Sequence, residues 1–352
     1  MKKLTTLFFI LFFTASVFAG ECEPVDLDAK DGTLNKIPRH KQSMGTCYAH
    51  TIATLYDAFR KQNKEPNAHL FSSPVDIAYT LSKNSPHGSI DGGAYIESIN
   101  WLNDFPPCPN QNQKKRKKAQ EDPLEKKYQT VQEKLQDLVA SKGDIEQFIK
   151  VLDDSSKIEF INQYNKILKD TFKCSKSEFQ EIVRVIQPLD INLALSSAMN
   201  NICKPEQRLK TSKNISPRET RLNSKEMNLD EATAKQKALL TLINKSLDEK
   251  LNKTLPIGLT FCAKSLIYMS QESQLTNLFP VGDKCGSHAA VISGRRKNEK
   301  TGQCEIKIRN PWGSCKYTSK FYDCDKKNGD TWIPQNILQR FIMGVTTLEE
   351  KP

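Results

Sequence analysis

A thiol, an imidazole, a carboxamide and an indole stand in this chain in local settings that suit acyl transfer. The thiol is Cys47, in Gln42-Ser43-Met44-Gly45-Thr46-Cys47-Tyr48-Ala49. The imidazole is His288, at the head of the apolar run His288-Ala289-Ala290-Val291-Ile292. The carboxamide and the indole are Asn310 and Trp312, in Asn310-Pro311-Trp312-Gly313. A sulfur attacks a carbonyl well as a thiolate, and a helix N-terminus or an imidazolium favours that anion. An imidazole can take the thiol proton and return it to a leaving amine. A carboxamide oxygen that accepts from the ring N–H fixes which ring nitrogen faces the sulfur. An indole laid over that hydrogen bond keeps water away from it. Gln42 adds a side-chain amide which, with the backbone N–H of Cys47, can hold an oxyanion. Taken singly each residue has a plainer reading: a half-cystine, a packed histidine, a turn. The combination is what points to chemistry.

The elements that must position these groups are legible from periodicity. Ala49, Ile52, Ala53, Tyr56 and Phe59 recur at helical spacing, so a helix starts at or next to Cys47. Pro74 to Tyr79 reads as a short helix and Ala94 to Leu102 as another. A long helix, about Leu229 to Leu251, leads through Pro256 into a strand from Ile257 to Cys262. Ala289 to Ser293 is a second strand and Cys304 to Arg309 a third. Gly294 to Asn298 and Lys300 to Gly302 read as turns between them. Helices first and antiparallel strands last predict an α+β fold. His50, three residues after Cys47 on the helix, should point away from the sulfur and pack.

The order Cys…His…Asn and these local contexts resemble the papain-like cysteine proteases. The Asn-Pro-Trp-Gly spelling is closest to the calpain branch. The resemblance implies a two-lobed papain-like fold: a helical lobe bearing Cys47 and a β-rich lobe bearing His288 and Asn310. It implies Cys47, His288, Asn310 and Gln42 as catalytic residues. Gln42 lies five residues before the cysteine where relatives place the glutamine six before, and Lys41 occupies that place here. Gly45, Gly92, Gly93 and Trp312 are the implied substrate-binding residues. Gly92-Gly93 resembles the glycine pair whose backbone meets an extended peptide, where a missing Cβ allows close approach. Leu255 to Leu259 resembles the far wall of the specificity pocket. The implied activity is peptide-bond hydrolysis through a thioester, with a peptide or protein as substrate and no cofactor. Calcium dependence is not expected, because no EF-hand loop spacing occurs.

Composition sets the setting. The chain has 352 residues, enough for one core and a large insertion. Lys2-Lys3, the apolar run Leu7 to Phe13 and Val17-Phe18-Ala19 read as a signal peptide cleaved after Ala19 or Gly20. No apolar run is long enough for a transmembrane anchor. An exported chain with ten cysteines, Cys47 kept reduced, allows up to four disulfides. Nine others is an odd number, so one stays free or pairs outside the chain. A bridge within Cys304, Cys315 and Cys324 is expected. No metal site is expected, since no C-x-x-C pair occurs and Cys285-x-x-His288 is only half a site.

Four segments follow: 1–19, the signal peptide; 20–105, the helical catalytic lobe; 106–223, a charged helical insertion; and 224–352, the β-rich catalytic lobe. The insertion opens on Pro106-Pro107-Cys108-Pro109 and the basic run Lys114 to Lys118. Helical stripes follow at Leu124 to Leu138, Ile145 to Leu152, Ile158 to Leu168 and Phe179 to Ile186. The polar stretch Lys204 to Asn223 reads as a linker or loop. The formal net charge is +11. Much of it lies in the insertion, which could dock an acidic partner or act as a lid. Nucleic acid is not favoured, because aromatic residues are not interleaved with the basic clusters. Only about 20 residues precede the catalytic fold after cleavage, so the long helical propeptide of many relatives is not expected. Two rival functions share the residues: a catalytically weak papain-fold binding protein working through the insertion, and a thiol acyltransferase or deamidase.

Overall fold

The computed structural model describes residues 22–42, 45–84, 95–110, 120–121, 126–127, 129–131, 133–134, 137, 153–172, 203, 205–222, 229–249, 255–269 and 285–351. The signal-peptide reading, Gly92-Gly93, the basic run 114–118, Cys174 and the stripes at 145–152 and 179–186 lie outside them.

Helices and an antiparallel sheet make an α+β fold. The central helix is α1 (Cys47–Gln62), buried from Tyr48 through Arg60. Around it pack α2 (Pro74–Asn84) and α3 (Tyr95–Trp101). Two charged groups sit inside α1. The Asp57 carboxylate accepts from the Ser72 N–H at 3.0 Å and from its hydroxyl at 2.6 Å. Burial still pushes that carboxyl up to about 7. The Arg60 guanidinium donates to the carbonyls of Pro66, Asn67 and Leu70, so both charges hold the loop that leads into α2. Buried polar groups with such partners cost little; without them they would be expensive.

Among the described residues the main sheet has eight strands. They are β1 (Val25–Asp26), β4 (Ile215–Arg221), β5 (Ile257–Cys262), β6 (Ser287–Lys297), β7 (Cys304–Arg309), β8 (Asp323–Cys324), β9 (Thr331–Pro334) and β10 (Ile342–Glu350). Their order is β4-β10-β5-β6-β7-β9-β8, with β1 added to β6. A separate parallel pair joins β2 (His40–Lys41) to β3 (Gln120–Glu121). Among the described residues the other α-helices are α4 (Asp154–Phe172), α5 (Leu229–Asp248), α6 (Ala263–Tyr268) and α7 (Gln335–Phe341). The helical layer meets the sheet where α1 lies against β6.

Three readings change. The polar stretch 204–223 is not all loop: Ile215–Arg221 forms β4, paired along β10 from Ile215↔Glu350 to Arg221↔Gly344. An edge strand exposed on one face carries no apolar run to announce it. Gly294 to Lys297 is not a turn either. β6 runs on through Lys297, with a bulge between Ile292 and Gly294. Glycine is required there by close approach, since a Cβ would sit 2.6 Å from the Val25 carbonyl oxygen of β1. The sheet also includes β9 and β10, for which the sequence offered no strand.

Four disulfides brace the fold: Cys22–Cys304, Cys108–Cys203, Cys262–Cys285 and Cys315–Cys324. The expected bridge within the Cys304, Cys315, Cys324 group is Cys315–Cys324. Cys304 is taken by the N-terminal segment instead. Cys108–Cys203 brings together chain points 95 residues apart. Cys47 is the one free cysteine among the described residues. No described helix is long and apolar enough to cross a membrane.

Candidate active site

Cys47 is the first residue of α1. Thr46, the N-cap, makes no side-chain capping bond, and the first turn carries no carboxylate. The N-terminal amides are therefore not masked by an acidic neighbour. The sulfur lies against the start of β6: the backbone N–H groups of Ala289, Tyr48 and Cys47 itself favour its thiolate. Burial works the other way and is larger, so the thiol is pushed above its ordinary value.

His288 is buried on β6, 4% exposed, opposite Phe261 of β5. The Phe261 ring meets the imidazole edge-on at 5.3 Å, and the Trp312 indole covers its other side at 4.7 Å. Burial lowers the imidazole to about 4, against a small upward pull from Asn310. Both shifts favour the neutral thiol and the neutral imidazole at neutral pH, around a cysteine that is half-buried. The thiolate–imidazolium pair expected from the helix terminus alone is opposed by the low dielectric of the site.

One hydrogen-bond deduction orients the pair. Asn310 Oδ1 lies 3.0 Å from His288 Nε2 and 3.2 Å from the backbone N of Trp312. A backbone N–H can only donate, so the atom facing it is the oxygen and not the amide nitrogen. That oxygen must then accept from His288, so Nε2 carries the proton. Nδ1 is left with the lone pair, free to act as a base. The turn Asn310–Gly313 is itself closed by the Gly313 N–H donating to the Asn310 carbonyl at 3.1 Å. Gly313 has φ +61°, which suits glycine.

Gln42 follows β2, and its backbone N–H donates to the Pro311 carbonyl at 2.7 Å. The structure therefore places Gln42 beside the Asn-Pro-Trp turn, on the segment that runs into Cys47. Gly45 is exposed in the turn just before α1. Gly92 and Gly93 fall outside the described residues. His50 is 2% exposed and packs beside His40, with ring centroids 5.7 Å apart. Behind Asn310 is a polar cavity of about 20 Å³ lined by His40, His50, Thr51 and Asn310. It is too small for any substrate side chain. A larger cavity, about 320 Å³, lies between α5 and strands β4, β5 and β10; Leu255 and Ile257, from the stretch read as a pocket wall, line it, but Cys47, His288 and Asn310 do not. No group of three or more metal-ligating side chains occurs among the described residues.

Sequence reasoning missed Phe261 and a charged cluster beneath the Asn310 turn. The available signal was the strand Lys307-Ile308-Arg309, which alternates cations with core residues immediately before Asn310. Replacing Asn310 by alanine is expected to lower kcat about 10²-fold with little change in KM. It frees the ring to adopt the wrong tautomer. Steady-state kinetics test the first part and ¹⁵N NMR of the imidazole the second; unchanged values of both would remove Asn310 from the site.

No family model matches this chain, and no curated protein sequence matches it. Solved structures that resemble it include xylellain, a cysteine protease from Xylella fastidiosa. That match has 15% identity, a TM-score of 0.40, and covers 94% of this chain and 86% of that one. Procathepsin B S9 from Trypanosoma congolense matches at 12% identity and TM-score 0.42, covering 94% and 77%. SERA5E from Plasmodium falciparum matches at 12% identity and TM-score 0.45, covering 92% and 94%. Similarity of this degree leaves the site to be read from its own residues.

Proposed function

We propose that this protein is an exported papain-like cysteine endopeptidase, with Asn310-Pro311-Trp312-Gly313 in the calpain-type spelling. The observation that carries the reading is the doubly accepting Asn310 Oδ1, because it makes His288 Nδ1 the base. A free cysteine at the head of α1 stands against the strand that bears that histidine.

The cycle follows from these groups. A substrate peptide carbonyl approaches Cys47. Sγ attacks the carbonyl carbon as its proton passes to His288 Nδ1. The oxyanion is held by the Cys47 backbone N–H and the Gln42 side-chain amide. The imidazolium, steadied by Asn310, gives its proton to the leaving nitrogen as the C–N bond breaks. Water, deprotonated by His288, then hydrolyses the thioester and restores the thiol. Gly45 and Trp312 border the bound peptide, and Gly92-Gly93 supply backbone partners to it. Four disulfides support an oxidising compartment, in keeping with export by a leader at residues 1–19. The proposed insertion, 106–223, is bridged by Cys108–Cys203 and ends in β4 on the main sheet, and it could serve as a lid or as a dock for an acidic partner.

The test is intact mass of the oxidised, leader-free protein after an epoxysuccinyl probe, followed by a peptide-library digest. One adduct on Cys47, with cleaved peptides, is the expected result. An adduct with only transamidated or deamidated products would move the chain to acyl transfer. A free Cys47 that takes no adduct, alongside no cleavage, would sink the enzyme reading.

A further inference from the structure

The chain from residue 25 to residue 41 is an arm that crosses from the sheet to the nucleophile. It begins as β1 on β6, at Val25↔Arg295 and Asp26↔Gly294. It turns back at Gly32, where a Cβ would lie 2.2 Å from the Leu27 carbonyl oxygen. It ends in β2 and Gln42, five residues before Cys47. Three side-chain cations and three carboxylates fasten it, the outermost being Asp26, whose Oδ1 lies 3.5 Å from Lys307 Nζ. Asp28 Oδ1 accepts from Arg309 Nε at 2.8 Å and also from Arg309 Nη2. Asp28 Oδ2 accepts from Arg39 Nη2 at 2.7 Å and from Lys307 Nζ at 2.9 Å. Asp330 accepts from Arg39 Nε at 3.1 Å and Nη2 at 2.9 Å. The same Arg309 donates to the carbonyls of Leu34 at 2.8 Å and Ile37 at 3.2 Å. One guanidinium, 7% exposed, therefore grips the arm at three places and precedes Asn310 directly.

We infer that Asp28 is a positioning residue: its carboxylate clamps the arm to β7 and so sets where Asn310 and Gln42 stand relative to Cys47. The inference rests on the peptidase reading of the site. Its physical basis is rigidity. Two N–H groups of Arg309 converge on one oxygen of Asp28 while its other oxygen holds Arg39 and Lys307, and these charge-assisted bonds join the residue before Asn310 to the segment that delivers Gln42. The Gln42 N–H to Pro311 carbonyl bond closes the loop on the other side. Without the carboxylate, Arg39, Lys307 and Arg309 would repel one another across the arm. The Asn310 turn and the Gln42 segment would then lose their common anchor. Misplacement by about 1 Å is enough to cost a reaction 10²-fold.

The experiment compares Asp28→Asn with the wild type in three readouts: kcat and KM on a cleaved peptide, the alkylation rate of Cys47 by iodoacetamide, and thermal unfolding. Glu65→Gln serves as the control for simple destabilisation. Glu65 binds Ser212 at 2.9 and 2.8 Å beyond the far end of α1 and touches neither arm nor site. Expected for Asp28→Asn are a kcat about tenfold lower, a KM within about twofold, and slower alkylation of Cys47 at temperatures where it is fully folded. Glu65→Gln should lose stability and keep its kcat. A folded Asp28→Asn with wild-type kcat and alkylation overturns the clamp. Should Asp28→Asn not fold, Asp330→Asn removes the second carboxylate that holds Arg39 and its 3.8 Å pairing with Lys307, leaving Asp28 in place. It should show a smaller fall in kcat, and no fall would count against the inference. If the wild type cleaves no peptide, the peptidase reading fails separately. Slower alkylation of Cys47 in Asp28→Asn would still uphold the clamp, and an equal rate would end it.

Discussion

Replacing Cys47 with serine should lower kcat on a peptide substrate by about 10⁵-fold while leaving the fold in place. The substitution changes one atom at the head of α1, so packing is nearly conserved. The proton balance is not. Burial holds His288 at about 4, a weak base. Such a base can receive a proton from a thiol as sulfur attacks, because a thiol is a far stronger acid than an alcohol. It cannot do so usefully for a hydroxyl, whose acidity is weaker by several orders of magnitude. The site is thus matched to sulfur by the environment of its base. Active-site-titrated kinetics on Cys47→Ser measure this. Retention of more than about 1% of wild-type kcat would place the nucleophile elsewhere.

The second large effect is at His288. Changing it to glutamine should lower kcat by about 10⁴-fold, since both proton transfers are lost. The same change should alter how stability depends on pH. Burial lowers the folded imidazole to about 4, while the unfolded chain keeps the ordinary 6.5. Above 6.5 both states hold it neutral and it contributes no pH dependence. Between 6.5 and 4 the unfolded chain binds a proton that the folded chain refuses, so stability falls as pH falls. The total is roughly 3 kcal/mol once pH reaches 4. His288→Gln lacks this penalty. Its stability relative to the wild type should therefore improve by roughly that amount between pH 7 and pH 4, as read by denaturant unfolding at each pH. A constant difference across that range would mean that His288 is not held neutral. In the wild type, the acid limb of kcat/KM should fall near 4, not near 6.5, because the base form of His288 survives to that pH.

The asymmetry between strong and weak sequence signals explains what was legible. The helix at Cys47 and strands β5 and β7 follow from residues that alternate or recur at one fixed period, and the structure has them at Cys47–Gln62, Ile257–Cys262 and Cys304–Arg309. β4 has no such period. Ile215 alone is buried in the core, and from Ser216 to Arg221 the strand is mostly polar, serving through its backbone as the partner of β10. Gly294 read as a turn because glycine punctuates turns. Its actual reason is the carbonyl of Val25, more than 250 residues away in the chain, and no local window contains that information. Pairing of Cys22 with Cys304 was equally out of reach, whereas Cys315–Cys324 closes a short loop that spacing alone suggests.

The sequence by itself determined the local settings of the proposed reacting groups: a cysteine set to open a helix, a histidine set to open a strand, and Asn310 with Trp312 in a turn after another strand. Those are properties of short stretches, and short stretches carry their own periodicity and turn chemistry. Only the tertiary structure decided the protonation of the pair. Whether His288 is charged depends on Phe261 and Trp312 closing over it, residues drawn from two other elements. Only the tertiary structure decided which ring nitrogen is the base, through one oxygen shared by His288 and the Trp312 amide. And it alone brought Asp28 beneath Arg309, since electrostatic contact between residues 281 apart is created by the path of the chain and not by its spelling.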